Sequence, residues 1–262
     1  MSFLAKIFYQ TLILLYLFVS NSYAKATYVS SINNNPTDYM ATGIGFSKDG
    51  TKMLLGFSAI EAWKNSGGDE GDLGGRDYIR EFDLTIPFDS STATRGARLK
   101  IKHSDTCGNS FQQPAGGMEF SNDGLKVFTT NKLANNATHD VCQITLSNRY
   151  DINSATSYTG IRLNNGATDV GLNFNEAKGV AFNEDGTKMF VGHNNEGTDP
   201  AWVFEFDLST SFDVETAKYN NVSIDLRTIG VSALNGFEFS KDGRYFFVTD
   251  PTEEVIHQIR LS

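Results

Sequence analysis

The sequence predicts an all-β fold, a four-bladed β-propeller of four-stranded antiparallel blades, because one pattern occurs four times along its 262 residues. Each copy starts with Gly-x-x-Phe, continues through an Asp-Gly pair and ends in an apolar run. A repeat of this β character at a roughly fixed spacing is typical of propellers and solenoids. The copies occupy residues 43–57, 117–131, 179–193 and 236–250.

Each copy predicts the same four strands in order. The Asp-Gly pair lies between two apolar runs, which is a strong signal for a tight hairpin between strands one and two. A third strand is indicated by alternation of apolar and polar residues, as in 81–84 and 205–208. The fourth strands are expected to begin at Ala93, Ala155 and Ala217. Four such strands in a meander make one propeller blade.

The last copy ends after its third strand, and the beginning of the chain resembles the missing one. The segment Ala26-Thr27-Tyr28 is similar to the starts of the fourth strands at Ala155 and Ala217. We therefore expect residues 25–32 to complete the last blade and close the ring, which would hide two sheet edges. The predicted domain spans residues 25–262, with repeats at about 33–101, 104–163, 164–226, and 227–262 plus 25–32.

Residues 1–24 have the pattern of a signal peptide. Lys6 precedes an apolar stretch over 7–19, and Ser22-Tyr23-Ala24 matches a small-x-small cleavage site. The alternative is an uncleaved membrane anchor, but the stretch is short against the roughly 20 residues of a bilayer span. We expect cleavage after Ala24, no membrane insertion afterwards, and a secreted or periplasmic protein.

The cysteine content predicts a disulfide, and the net charge restricts the classes of possible binding partner. Cys107 and Cys142 are the two cysteines, and an even pair in an exported protein favours a disulfide. The formal net charge of −9 opposes nucleic-acid phosphates and anionic lipid. The expected partners are proteins, peptides or glycans, and the expected state is a monomer.

Five residues are candidates for ligand binding. Glu119 and Glu238 precede the Phe of the repeat in the second and fourth copies, on opposite blades of a four-membered ring. Facing the axis, they would hold a cation or share a proton; the alternative is that each pairs with a basic side chain between blades. The loop-bearing face of the propeller is predicted to carry the other three, His193, Trp202 and Asp250.

One loop insertion is a candidate metal-binding site. Residues 66–77 are rich in glycine and carry four carboxylates at close spacing, which could hold Ca²⁺ on a bendable loop. The alternative is a solvated loop, since the spacing matches no established calcium motif. No other cofactor is expected, and no catalytic motif is found. The four candidate ligands are Asp69, Glu70, Asp72 and Asp77.

The phrase Phe-Ser-x-Asp-Gly-x-Lys-Met-Phe-Val, followed by Glu-Phe-Asp-Leu-Ser-Thr-x-Phe-Asp, resembles the repeats of exported bacterial β-propellers. It is loosely similar to the YVTN, NHL and lactonase-like groups, whose larger members close with six or seven blades. The resemblance implies the fold, but its motif residues are turn and core positions and do not select a function. We expect a non-enzymatic binding module that presents loops on one face. The alternatives are a hydrolase or lactonase-like enzyme with a cation in the central channel, and a structural component of a cell-envelope assembly.

Overall fold

The computed structural model describes residues 40–58, 78–100, 111–133, 140–163, 177–194, 201–240, 243–250 and 252–261. They form four antiparallel sheets arranged as a four-bladed β-propeller, which confirms the predicted fold class. The strand proposed to close the ring, residues 25–32, lies outside the described residues. Within the described ranges, no helix is both long and apolar enough to cross a bilayer.

The strands follow the predicted order, from the inner strand of each blade outward. Blade 4 has three strands among the described residues. Blade 1 comprises β1 (Met40–Phe46), β2 (Lys52–Ser58), β3 (Tyr78–Leu84) and β4 (Ala93–Lys100); blade 2 comprises β5 (Phe111–Phe120), β6 (Lys126–Leu133), β7 (Val141–Leu146) and β8 (Ala155–Ile161); blade 3 comprises β9 (Ala177–Phe182), β10 (Lys188–His193), β11 (Trp202–Leu208) and β12 (Ala217–Asp225); blade 4 comprises β13 (Gly236–Phe239), β14 (Tyr245–Asp250) and β15 (Val255–Arg260).

The Asp-Gly pairs form the predicted hairpin turns. In blade 1, Asp49 Oδ1 accepts a hydrogen bond from the Thr51 backbone N–H at 3.0 Å. Gly50 has φ of 71°, a conformation that a side chain would strain. The turns of blades 2 and 3 repeat this arrangement, with the same aspartate-to-backbone bond and a positive-φ glycine.

Neighbouring blades approach through backbone along the inner strands. A Cβ atom added to Gly45 would lie 2.5 Å from the Met118 carbonyl oxygen, and one added to Gly117 would lie 2.8 Å from the Cα of Gly179. The glycines at these positions therefore set how closely the blades pack. Farther from the axis, aromatic side chains fill the space between blades, as where Phe128 and Phe182 meet with ring centroids 4.3 Å apart.

The same kind of hydrogen bond joins blade 1 to blade 2 and blade 2 to blade 3, and its donor lies in the later blade each time. Glu81 on β3 of blade 1 accepts from the Ile152 N–H of blade 2 at 3.1 Å through Oε2. Gln143, in the equivalent position on β7 of blade 2, accepts from the Val214 N–H of blade 3 at 3.1 Å through Oε1. Both donors lie in the short 3-10 turn before the fourth strand. Blades 1 and 2 each accept a hydrogen bond from a buried backbone N–H group of the following blade.

Candidate functional site

A cleft of about 1770 Å³ runs along the inner strands of all four blades. Its inner wall is largely apolar and glycine-rich, with carboxylate groups set into it. Pockets of this kind, apolar with a few polar groups, are the usual form of small-molecule sites. The inner wall includes the apolar residues Ile44, Met118, Val180 and Phe237 and the carboxylates of Glu119 and Glu238.

Glu119 is held between blades 2 and 3. Its Oε2 accepts a hydrogen bond from the Phe182 backbone N–H of blade 3 at 3.0 Å. Burial raises the pKa of this carboxyl well above its usual range, and the negative charge of Glu238 raises it further, while the Phe182 N–H acts in the opposite direction. Glu119 therefore binds a proton more readily than an exposed glutamate.

Glu238 lies across the cleft on blade 4 with an exposed side chain. Its Oε1 accepts from the Phe239 N–H at 3.2 Å, and partial loss of hydration inside the cleft raises its pKa. The structure thus brings Glu119 and Glu238 close enough for one charge to act on the other. Glu119 does lie between blades, but its partner is backbone, and no basic side chain of the described ranges pairs with either carboxylate.

His193 and Trp202 lie opposite each other where β10 and β11 meet the loop-bearing face. His193 is buried, so it is not an exposed loop residue. Trp202 stacks on Phe204 with ring centroids 5.8 Å apart. Neither residue lines the cleft that contains the two glutamates. A role of either residue in ligand binding stays a prediction.

Asp250 is buried and is fully engaged by backbone. Its Oδ2 accepts from the N–H groups of Ser232 (2.7 Å) and Ala233 (3.1 Å), and its Oδ1 from those of Thr252 (2.9 Å) and Glu253 (3.2 Å). Burial alone would raise its pKa, but these four bonds lower it. Asp250 therefore fixes two loop segments in the structure.

Two further groups that could bind a metal ion lie beside Asp250. Glu253 and His257 place ligand atoms within 4.8 Å of one another and of the Asp250 carboxylate, and His257 Nε2 is 3.6 Å from Asp250 Oδ2. An ionised carboxylate has about four lone-pair positions, and four N–H groups already occupy those of Asp250. A metal ion would have to displace one of these bonds, so we assign the cluster a structural role.

The remaining candidates stay predictions. Asp69, Glu70, Asp72 and Asp77 lie outside the described residues, as does Cys107. Cys142 is buried on β7 and packs in the core between blades 1 and 2. Neither the calcium loop nor the Cys107–Cys142 disulfide is therefore tested by the described part of the chain.

Sequence reasoning missed Asp140, a fully buried carboxyl at the start of β7. Its Oδ2 accepts from the Leu163 N–H at 2.6 Å, while its Oδ1 has no hydrogen-bond partner among the described residues. Burial raises its pKa from 3.8 to about 6, against the opposing effects of Leu163 N–H and the charge of Arg162. An isolated aspartate before a strand carries no pattern that distinguishes it from a turn residue.

Asp140 should make stability depend on pH. Its folded pKa is above the unfolded value, so the folded state holds the proton more tightly, and stability is lost as the pH rises from about 4 through 6. At 1.36 kcal/mol per pKa unit the loss is at most about 3 kcal/mol. Asp140→Asn keeps an oxygen for Leu163 and removes the charge, so denaturant unfolding at pH 4 and 7 should show a larger loss of stability in the wild type than in the variant. Equal pH dependence in both proteins would contradict the assignment.

No protein-family model and no curated protein sequence matches the chain. Solved structures do match in fold. The periplasmic gluconolactonase of Pseudomonas aeruginosa is 13% identical with a TM-score of 0.47, over 90% of this chain and 59% of that one. A putative 6-phosphogluconolactonase from Bacteroides fragilis is 12% identical with a TM-score of 0.43, over 85% of this chain and 51% of that one.

Hydrazine synthase of Kuenenia stuttgartiensis is also similar, at 14% identity and a TM-score of 0.48, over 86% of this chain and 60% of that one. The chain thus spans between half and three fifths of the length of these proteins. Likeness at this level concerns the fold and carries no argument about activity.

Proposed function

We propose that the chain is an exported, non-enzymatic binding module whose ligand occupies the cleft beside Glu119 and Glu238. The observation that supports this is a pair of interacting carboxylates in a largely apolar cleft, with no basic side chain of the described ranges bonded to either of them. The chemistry that fits is a small organic ligand with an ammonium group and an apolar body.

The electrostatics favour a cationic ligand. The charge of Glu238 raises the free energy of an ionised Glu119 inside the partly dehydrated cleft, and either a proton or a cation relieves the repulsion. The apolar wall formed by residues such as Ile44, Met118 and Phe237 would cover the rest of the ligand. A bare metal ion is less suitable, because these side chains supply no further oxygen ligands.

The loop-bearing face is the second part of this proposal. Loops on one side of a rigid propeller are a common place for protein, peptide or glycan binding. Most of the variable loops lie outside the described residues, so this surface is proposed on the sequence pattern alone.

One observation favours an enzyme as the second candidate. A carboxyl group with a raised pKa, such as Glu119, is suited to general acid–base catalysis near neutral pH. Catalysis needs several oriented polar groups around one reacting centre, and the two glutamates alone do not provide them. A role in an envelope assembly stays a third proposal, without a supporting contact in the described ranges.

Calorimetry with benzylamine and with neutral benzyl alcohol tests the cleft. We expect the wild type to bind the amine, and the Glu119→Gln/Glu238→Gln double variant to bind it at least about tenfold more weakly, through loss of about 1.4 kcal/mol. Neither protein should bind the alcohol, and Ca²⁺ or Mg²⁺ serves as the bare-cation comparison. The double variant keeps an acceptor for Phe182 N–H, so its fold is expected to persist.

Glu215→Gln is the matched control, since Glu215 is exposed in a turn and does not line the cleft. Its amine affinity should equal that of the wild type. Equal affinity of the double variant and the wild type for benzylamine would contradict the proposed site.

A further inference from the structure

Blade 1 carries two arginines side by side on one face of its sheet. Arg80 on β3 lies directly opposite Arg98 on β4. The same cross-strand row continues inward through Leu55 on β2 to Ile44 on β1, and both of these apolar residues line the cleft. Like charges at directly opposite positions of a sheet are destabilising. The pair therefore lowers stability unless a negative group lies between the two guanidinium groups.

One tyrosine ring contacts both guanidinium groups. The Cζ atom of Arg98 lies 4.5 Å from the centroid of the Tyr78 ring, and that of Arg80 lies 5.5 Å from it. Tyr78 is itself buried and stacks on Phe57, with ring centroids 4.9 Å apart. Attraction between a cation and an aromatic ring restricts both arginine side chains. An anion that binds them therefore has less side-chain freedom to remove.

The hydrogen-bonding groups of this pair are not used by the protein. Within the described ranges, no carboxylate forms an ion pair with Arg80 or Arg98. Arg80 Nε is buried and has no hydrogen-bond partner among the described residues, whereas the Arg98 side chain is exposed. A buried charged donor without a partner is destabilising, and a bound ion is one of the usual reasons for such a group in a native protein.

The equivalent positions of blades 2 and 3 hold uncharged residues. The pairs there are Cys142 with Gly160 and Phe204 with Ser223. Cys142 and Phe204 are buried, and each lies in a core cluster that includes side chains of the preceding blade. The blade fold therefore does not require arginines at these two positions.

We propose that Arg80 and Arg98 bind a small, doubly charged oxyanion of the sulfate or phosphate type. The guanidinium group is a planar fork of donors that matches the oxygens of such anions. A tetrahedral anion has enough oxygens to accept from both forks at once, and its two charges neutralise both arginines. The formal net charge of −9 disfavours a polyanion, so the ligand is a free ion or a single ester group. This inference does not rest on the proposed function of the cleft.

Titration calorimetry with sodium sulfate, at constant ionic strength in chloride, tests the site. We expect the wild type to bind sulfate, and to bind acetate at least about tenfold more weakly, because one single-charged carboxylate does not satisfy both forks. Arg98→Met removes the charge from an exposed position, so it should fold and bind sulfate at least about tenfold more weakly than the wild type. Arg98→Lys keeps the charge without the planar fork, and its sulfate affinity should lie between the two.

Phenyl phosphate and inorganic phosphate distinguish the two sources of the anion. Tighter binding of phenyl phosphate indicates an ester, whose organic part would contact the apolar row of Leu55 and Ile44. Tighter or equal binding of inorganic phosphate indicates the free ion. Either result supports the arginine site, provided that both ligands lose affinity in Arg98→Met.

Arg149→Met is the matched control, because Arg149 is also exposed and its Cζ lies 6.0 Å from the Tyr150 ring centroid, but it is in a turn and not opposite a second arginine. Its sulfate affinity should equal that of the wild type. Absence of sulfate binding to the wild type, or an equal loss in Arg149→Met and Arg98→Met, would overturn the proposal. Should Arg98→Met fail to fold, the comparison with Arg98→Lys decides, and an affinity equal to that of the wild type also overturns it.

Discussion

A mature chain that lacks residues 25–32 is expected to unfold at a much lower temperature than the full chain, and with a broader transition. The sequence pattern predicts this segment as the fourth strand of blade 4, and among the described residues nothing pairs with the outer edge of β15, where Ile256 and Leu261 are exposed. Burying a side chain such as Ile contributes about 1.5–3 kcal/mol, and the strand's backbone bonds add to this. The loss is therefore a large part of the stability of about 5–15 kcal/mol typical of a domain.

Differential scanning calorimetry of the full and shortened chains measures the effect. A variant in which residues 25–32 are replaced by a Gly/Ser sequence of equal length is the matched control for chain length. It should behave like the shortened chain, and a synthetic peptide of residues 25–34 should restore part of the lost stability. An unchanged melting curve for the shortened chain would refute closure by this segment.

Gly117→Ala, in the inner strand of blade 2, is expected to destabilise the protein strongly. The added Cβ would lie 2.8 Å from Gly179 Cα and 2.9 Å from Val180 N, and backbone atoms cannot rotate away. Overpacking of this kind usually costs about 1–3 kcal/mol, and we expect the upper end of that range because two blades must separate.

Gly96→Ala is the control, since its nearest neighbour would be the Glu81 carbonyl oxygen at 3.3 Å, a contact that small shifts can accommodate. Denaturant unfolding should place Gly96→Ala within about 1 kcal/mol of the wild type. If Gly117→Ala is no less stable than Gly96→Ala, the blades are not held in backbone contact there.

The sequence predicted the architecture because its signals are local. Asp49 and its counterparts form turns through hydrogen bonds to the neighbouring backbone, and the alternation in 81–84 correctly predicted a strand, although Glu81 on its polar side is buried. Because the pattern occurs four times, these individually weak signals together predict four blades. The closing strand remains a prediction, because it depends on a pairing between distant parts of the chain.

The site was predicted less well, for reasons that lie in tertiary contacts. Alternation places Glu119 on one side of a strand but does not show whether that side meets the axis or a neighbouring blade. Its partner is the backbone N–H of Phe182, a group present at nearly every residue and therefore without a sequence signature. Asp250 looked like an exposed loop ligand for the same reason, since four backbone donors hold it.

The hydrogen bonds that the Ile152 N–H donates to Glu81 and the Val214 N–H donates to Gln143 make these two blade interfaces head-to-tail. Contacts of this kind use two different surfaces, so they close into a ring or continue as a linear polymer. A chain whose ring fails to close would therefore offer one surface to the complementary surface of another copy. We expect such molecules to grow by end-to-end addition, either into filaments or into an eight-bladed ring shared by two chains, rather than into amorphous aggregates.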